Sequence, residues 1–109
     1  MNNAPHLYVI AGEPSGDRLG GALMRGINEM APGTRWSGIG GAEMTARGLL
    51  SLFPMEELSV MGLAEVLPRY RQLMRRINET ARAVIDSGAD ALVTIDSPDF
   101  CLRVARRVK

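Results

Sequence analysis

HLYVIAGEPSGD, residues 6–17, is the stretch on which the reading of the fold turns. His6 to Ala11 is a short apolar run ending at Gly12, and it reads as a buried strand. GEPSGD follows neither the strand period nor the helix period and reads as a loop. Beyond it Leu19, Leu23, Ile27 and Met30 recur at helical spacing, with Asp17 placed to cap the helix they form. Pro32-Gly33 ends that helix.

The same alternation continues outward. Arg35 to Ile39 is a second short strand candidate. Gly40-Gly41 turns into a short helix through Met44, closed by Gly48. Leu49 to Phe53 is a third strand candidate, stopped by Pro54. Together these give β-α-β-α-β, which implies a parallel sheet with right-handed crossovers. A long run then places Leu63, Val66, Leu67, Tyr70, Leu73, Met74, Ile77, Ala81, Val84 and Ile85 at helical spacing. Pro68 interrupts it, predicting a break or kink, with the second part of the helix starting near that residue. Ala91 to Ile95 is rich in β-favouring residues and reads as a strand. Ser97-Pro98 opens a last helix that runs to Lys109, with proline at a permitted first-turn position. A crossover helix normally returns to another strand, so the expectation is a chain cut inside a larger α/β domain.

Composition narrows the classes. With 46% hydrophobic and 23% charged residues, the chain holds enough apolar material for one core. The net charge of +1 hides an asymmetry: residues 1–66 carry four Arg against seven acids, whereas residues 67–109 carry nine Arg or Lys against five. An anionic partner would therefore feel the second half. A single cysteine (Cys101) and a single histidine (His6) permit neither an internal disulfide nor a thiolate metal cluster. They suit a reducing cytoplasm, and the first residues lack the pattern of an export signal. No apolar run approaches the roughly 20 residues that span a bilayer. Nucleic acid is not an expected partner, because the basic residues lack interleaved aromatics and no nucleic-acid motif appears. Trp36, His6, Cys101 and the seven Met read as packing or incidental.

Three features carry candidate chemistry. In AGEPSGD (11–17), Gly12 and Gly16 let the backbone come close to a bound group, and the amides at the helix start favour an anion. The run is neither GxGxxG nor a Walker loop. Glu13 can accept hydrogen bonds from sugar hydroxyls or act as a base; equally, the whole run can be a structural loop. In TIDSPDF (94–100), Asp96 follows a strand. Ligands of parallel α/β sheets bind beyond the carboxyl ends of strands, so Glu13 and Asp96 belong to one edge. One of two carboxylates there can take a proton from an attacking hydroxyl. The alternative is capping, by Asp96 or Ser97 at the N-cap and by Asp99 in the first turn. The third feature, VMGLAEVLPRYRQLMRR (60–76), pairs an apolar stripe with Arg69, Arg71, Arg75 and Arg76. That suits an anionic membrane surface, or simply a helix that covers a core with a solvated basic face.

Taken in order, IAGEPSGDRLGGALMR (10–25), GIGG with Met44 (38–44), MEELSVMGLAEVLPR (55–69) and TIDSPDFCLRVAR (94–106) resemble consecutive blocks of the lipid-A-disaccharide synthases. The resemblance covers nearly the whole chain after about residue 7, and the combination is specific. It implies the N-terminal part of a two-domain glycosyltransferase, here an incomplete Rossmann-like parallel sheet with flanking helices over residues 1–109, on the acceptor side. The UDP-sugar domain would lie outside this sequence. The implied enzyme is an inverting hexosyltransferase. It moves a diacylglucosamine unit from UDP-diacylglucosamine to diacylglucosamine phosphate, making the lipid A disaccharide precursor.

The resemblance further implies that no metal or other cofactor is needed. It implies a peripheral location on the inner face of the cytoplasmic membrane, against its anionic surface, and leaves a homo-oligomer open. It assigns Asp96 as general base and Glu13, Ser15 and Gly16 to substrate contact. Met61, Leu63, Val66, Leu67, Tyr70, Leu73 and Met74 fall in the membrane or acyl-chain segment, although Pro68, Tyr70 and Gln72 make its stripe less uniformly apolar. The 109 residues alone are expected to have no transferase activity. Two other readings stand beside this one. One is a non-catalytic α/β module that binds an acylated or phosphorylated ligand or a membrane surface. The other is a different nucleotide-sugar enzyme such as an epimerase.

Overall fold

The computed structural model of the chain describes residues 4–61 and 67–109, and the side chains of these residues except 59–61 and 67–70. The elements run β1 (His6–Ile10), α1 (Pro14–Met30), β2 (Arg35–Ile39), α2 (Ala42–Thr45), α3 (Glu56–Met61), α4 (Leu67–Ser87), β3 (Ala91–Thr94) and α5 (Pro98–Val108). The three strands form one parallel sheet in the order β2-β1-β3. This is the α/β architecture expected from the alternation of short apolar runs and helical periods. β1 is central, pairing Val9 with Gly38 on one side and with Val93 on the other. A strand flanked on both edges and covered by helices must be apolar throughout, which is why HLYVI shows no polar alternation.

Val9, Ile10, Ala11, Met24, Ile39, Met44, Ile77 and Val104 are fully buried and centre the core. Burying each large aliphatic side chain contributes about 1.5–3 kcal/mol. Phe53 and Phe100 meet edge to face at 6.5 Å, joining the segment before α3 to α5. On α4, Ile77, Ala81 and Val84 face inward as their spacing predicts, and Leu73 and Met74 pack half-buried against the core. Ile85 is exposed. Pro68 lies in the first turn of α4, where a missing N–H costs nothing. The expected break before it, with Leu63 and Val66, lies outside the described residues.

Three expectations are corrected. Leu49–Phe53 is not a third strand; it forms a single bridge, Ser51 to Gly38. The Ser51 hydroxyl accepts the Gly40 N–H and donates to the Phe53 carbonyl, so one side chain takes the place of the next ladder rungs. Next, the first helix starts at Pro14, inside GEPSGD, and Asp17 does not cap it. Proline at a helix start is favoured because its ring presets φ and its absent N–H would be unpaired anyway. Finally, the Leu19, Leu23 and Met30 stripe faces outward, Leu19 being 64% and Met30 86% exposed. α1 buries Gly16, Asp17, Gly20, Gly21 and Met24 instead. Its inward face is built of glycines because α2 approaches closely: a Cβ on Gly20 would meet the Met44 sulfur at 2.6 Å.

Candidate active site

The carboxyl ends of β1 and β3 are neighbours, because the Ile95 N–H donates to the Ile10 carbonyl at 3.0 Å and continues the ladder by one rung. The loops that follow, Ala11–Glu13 and Ile95–Ser97, therefore leave the sheet side by side. Asp96 joins them. Its Oδ1 accepts the Gly12 N–H at 2.5 Å and its Oδ2 accepts the Glu13 N–H at 3.2 Å. The Ser97 hydroxyl lies 3.2 Å from Oδ1. The anion expected at the start of α1 is thus a side chain of the protein itself. It satisfies amides that the helix cannot, and its charge sits at the positive end of the helix dipole.

The glycines of the loop explain themselves through this contact. A Cβ on Gly16 would overlap Asp96 Oδ2, and one on Gly12 would overlap Ser97 Oγ. Neither position tolerates a side chain while the two loops lie this close. Ser97 is the one described non-glycine residue with positive φ, at φ 53 and ψ 54. A residue before proline is normally pushed to extended backbone, and the left-handed conformation costs about 1–2 kcal/mol. That turn drops the chain directly into α5, with Pro98 in its first turn and the Cys101 N–H bonded to the Ser97 carbonyl. Neither Asp96 nor Ser97 caps α5 through its side chain.

All four residues expected at the site come together here. Asp96 is half-buried, Gly16 is buried beneath it, and Glu13 and Ser15 are exposed at the rim. Below them Cys101 is buried, its thiol 3.2 Å from the Asp96 carbonyl. Burial, and secondarily the Asp96 charge, push that thiol up to about 12, so it stays protonated and is no nucleophile. Of the expected apolar contact residues, the two with described side chains are not part of this cluster. Leu73 and Met74 pack against the core. Met61, Leu67 and Tyr70 lie in α3 and α4, with side chains outside those described, and Leu63 and Val66 lie wholly outside. α3 nevertheless borders the site, because the Leu58 Cβ is 3.1 Å from where a Cβ on Gly12 would stand.

Two residues of this edge carry no signal as site residues in the sequence. Asp17 caps α2: its carboxylate accepts the amides of Gly41, Glu43 and Met44. The clue is that α2 begins after a glycine, which has no side chain to cap with. Arg76 is the other. It donates two bonds of 2.9 Å to Glu57 and one of 2.7 Å to Glu79, and its guanidinium lies 4.4 Å above the Phe53 ring. It thereby fixes α3, and with it Leu58, to α4. Among the described residues no group of three His, Cys, Asp or Glu is arranged to hold a metal ion, and no helix is long and apolar enough to cross a membrane.

Fold and site define an incomplete Rossmann-like α/β domain whose candidate site lies at the carboxyl ends of its parallel strands. The sequence profile of one family, lipid-A-disaccharide synthetase, matches residues 7–109. The lipid-A-disaccharide synthase of Ruegeria pomeroyi is 59% identical over 103 residues, which cover 94% of this chain and 26% of that protein. The enzyme of the same name from Paramagnetospirillum magneticum is 53% identical over 104 residues, 94% of this chain and 27% of its own length. That of Granulibacter bethesdensis is 47% identical over 106 residues, 97% of this chain and 27% of its own. The chain belongs to the lipid-A-disaccharide synthase family, and it spans about a quarter of the length of the curated relatives it matches.

Proposed function

We propose that these residues form the acceptor-side part of an inverting glycosyltransferase that condenses UDP-diacylglucosamine with diacylglucosamine phosphate to give the lipid A disaccharide precursor. The observation that carries this reading, beyond family membership, is the Asp96 carboxylate held at the joint of β1 and β3 beside the exposed Glu13. In the reaction the acceptor hydroxyl attacks the anomeric carbon of the donor. The new C–O bond forms as the bond to UDP breaks. UDP leaves with the electron pair, configuration inverts, and the hydroxyl proton passes to Asp96. Oδ2 accepts one amide and has a second lone pair, so holding the loop and accepting a proton are compatible. Glu13, Ser15 and the Gly16 backbone are assigned to contact with the acceptor sugar.

The assignment to the acceptor side has a physical support. In a dinucleotide-binding domain the helix starts at this edge receive phosphates. Here Asp96 takes the Gly12 and Glu13 amides just ahead of α1 and lays its own negative charge against the first turn of that helix, while Asp17 takes the amides at the start of α2. A nucleotide diphosphate is therefore assigned to a second domain. The activity is proposed for a chain of the relatives' full length; the 109 residues alone are expected to turn over no donor. No step of this reaction calls for a metal. Location on the inner face of the cytoplasmic membrane is part of the proposal. Acyl chains and the anionic surface would meet the segment from Met61 to Tyr70, with Arg71 and Arg75, next in the sequence, exposed. Leu73 and Met74 would support that segment from the core.

The test is a transfer assay on the full-length protein and its Asp96→Asn variant. Asparagine keeps an acceptor oxygen for Gly12 but cannot take a proton. The rate should fall by about 10²–10⁴-fold with the fold retained. A variant as active as the parent would remove Asp96 as base. The observation that its carboxylate is already bonded to two amides favours one other reading, a binding module without chemistry. Acceptor binding by the full-length protein with no transfer at all would establish that reading instead.

A further inference from the structure

Asp17 is a charged side chain only 5% exposed. Its Oδ1 accepts the N–H groups of Gly41 at 2.8 Å and Met44 at 3.0 Å, and its Oδ2 accepts that of Glu43 at 2.9 Å. α2, a single turn of four residues, cannot stand alone. Its N-cap, Gly41, offers no side chain, so a carboxylate from α1 supplies the acceptors. The contact is close: a Cβ on Gly41 would lie 2.7 Å from Asp17 Oδ2. Met44, within this turn, is fully buried beside Gly20 and Gly40.

Asp17 also continues the hydrogen bonds of the candidate site. Its own N–H donates to the Glu13 carbonyl at 2.9 Å, and the Glu13 N–H donates to Asp96. One connected path thus runs from Asp96, through the start of α1, to the start of α2. It ties together the three segments that follow β3, β1 and β2 at the functional edge of the sheet. A buried carboxylate is a weak way to gain stability, because its desolvation offsets much of what its partners return. What three charge-assisted bonds supply is fixed geometry.

We infer that Asp17 is a positioning residue: it holds the Gly41–Met44 segment at a set place relative to Glu13 and Asp96, and so shapes the acceptor subsite. This rests on the transferase reading above. The test uses the full-length protein. Asp17→Asn keeps one acceptor oxygen but turns an NH2 toward the amide of Glu43. Gly41→Ala leaves the charge in place and crowds it from the other side, and it carries the test if the first variant does not fold. Each variant should raise the KM for diacylglucosamine phosphate about tenfold while the KM for UDP-diacylglucosamine stays within about twofold. A fall in kcat alone, matching a smaller active fraction, or no change in either constant, overturns the inference. Calorimetric binding of diacylglucosamine phosphate separates the two readings. If the parent binds it but transfers nothing, only the transferase reading falls, and weaker binding by the variants still supports Asp17. A parent that neither binds nor transfers overturns both.

Discussion

Asp96 Oδ2 occupies the space that a side chain on Gly16 would need. The glycine in the first turn of α1 and the carboxylate of the loop after β3 are therefore a single fitted contact, although they lie in separate motifs. Gly16→Ala should push the carboxylate off the Glu13 amide. Alanine is the better helix former by about 1 kcal/mol, but overpacking and the lost hydrogen bond together cost more. The expected net loss is about 1–3 kcal/mol in urea unfolding. Unchanged or raised stability would mean the start of α1 and the loop after β3 are not locked as described.

The buried thiol gives a pH dependence with a definite sign. Burial, and then the charge of Asp96, raise Cys101 from 9.0 to about 12. In the folded chain it stays neutral where the unfolded chain has already ionised. Its contribution to stability is fully present below pH 9 and is lost as the pH rises toward 12. Tyr8, raised by burial and then by Glu79 from 10.0 to about 12, adds a loss of the same sign that begins one unit higher. Thermal melting followed between pH 8 and 10 should show a decline that Cys101→Ala flattens. An identical slope in that variant would show that the thiol does not drive it.

Arg76 joins α3 to α4 through a two-point contact with Glu57 and through its position over Phe53. Its side chain is 23% exposed and that of Glu57 25%, so the ion pair is partly screened and the planar geometry matters more than the charge. Arg76→Lys keeps the charge but loses the fork and the stacking. It should cost about 1–2 kcal/mol, most of the loss seen for Arg76→Ala. A lysine variant as stable as the parent would assign the effect to charge alone.

How far the sequence could be read follows from the range of each interaction. β1, β2, β3 and α5 were legible because a short apolar run, or a proline at a helix start, is a local signal. Asp96 and Glu13 could be placed on one edge by the rule of strand ends. What that rule cannot supply is the partner. Gly12 and Asp96 are 84 residues apart, and only the pairing of β1 with β3 brings them within bonding distance. Asp17 was misread for the same reason. A carboxylate near a helix start suggests that helix's own cap, whereas the acceptors are needed by a different helix about 25 residues on. Leu49–Phe53 has the composition of a strand, and it is one hydroxyl, that of Ser51, that ends the pairing after a single bridge.

α1 shows the largest gap between pattern and packing, and it yields a direct comparison. Leu19, Leu23 and Met30 form the apolar stripe, yet all three are exposed, while Met24 is fully buried among glycines. Close approach to α2 needs small residues, so the face that packs is the one with little side chain to display. The two faces should then respond in opposite order to what their hydropathy suggests. Leu19→Gln should change unfolding stability by no more than about 0.5 kcal/mol, as for most surface sites. Met24→Ala should cost about 2–5 kcal/mol by emptying a filled core position. Urea unfolding of the two variants decides between them. A large loss at Leu19 with little at Met24 would mean that α1 packs through its leucine stripe and that the glycine face is turned to solvent.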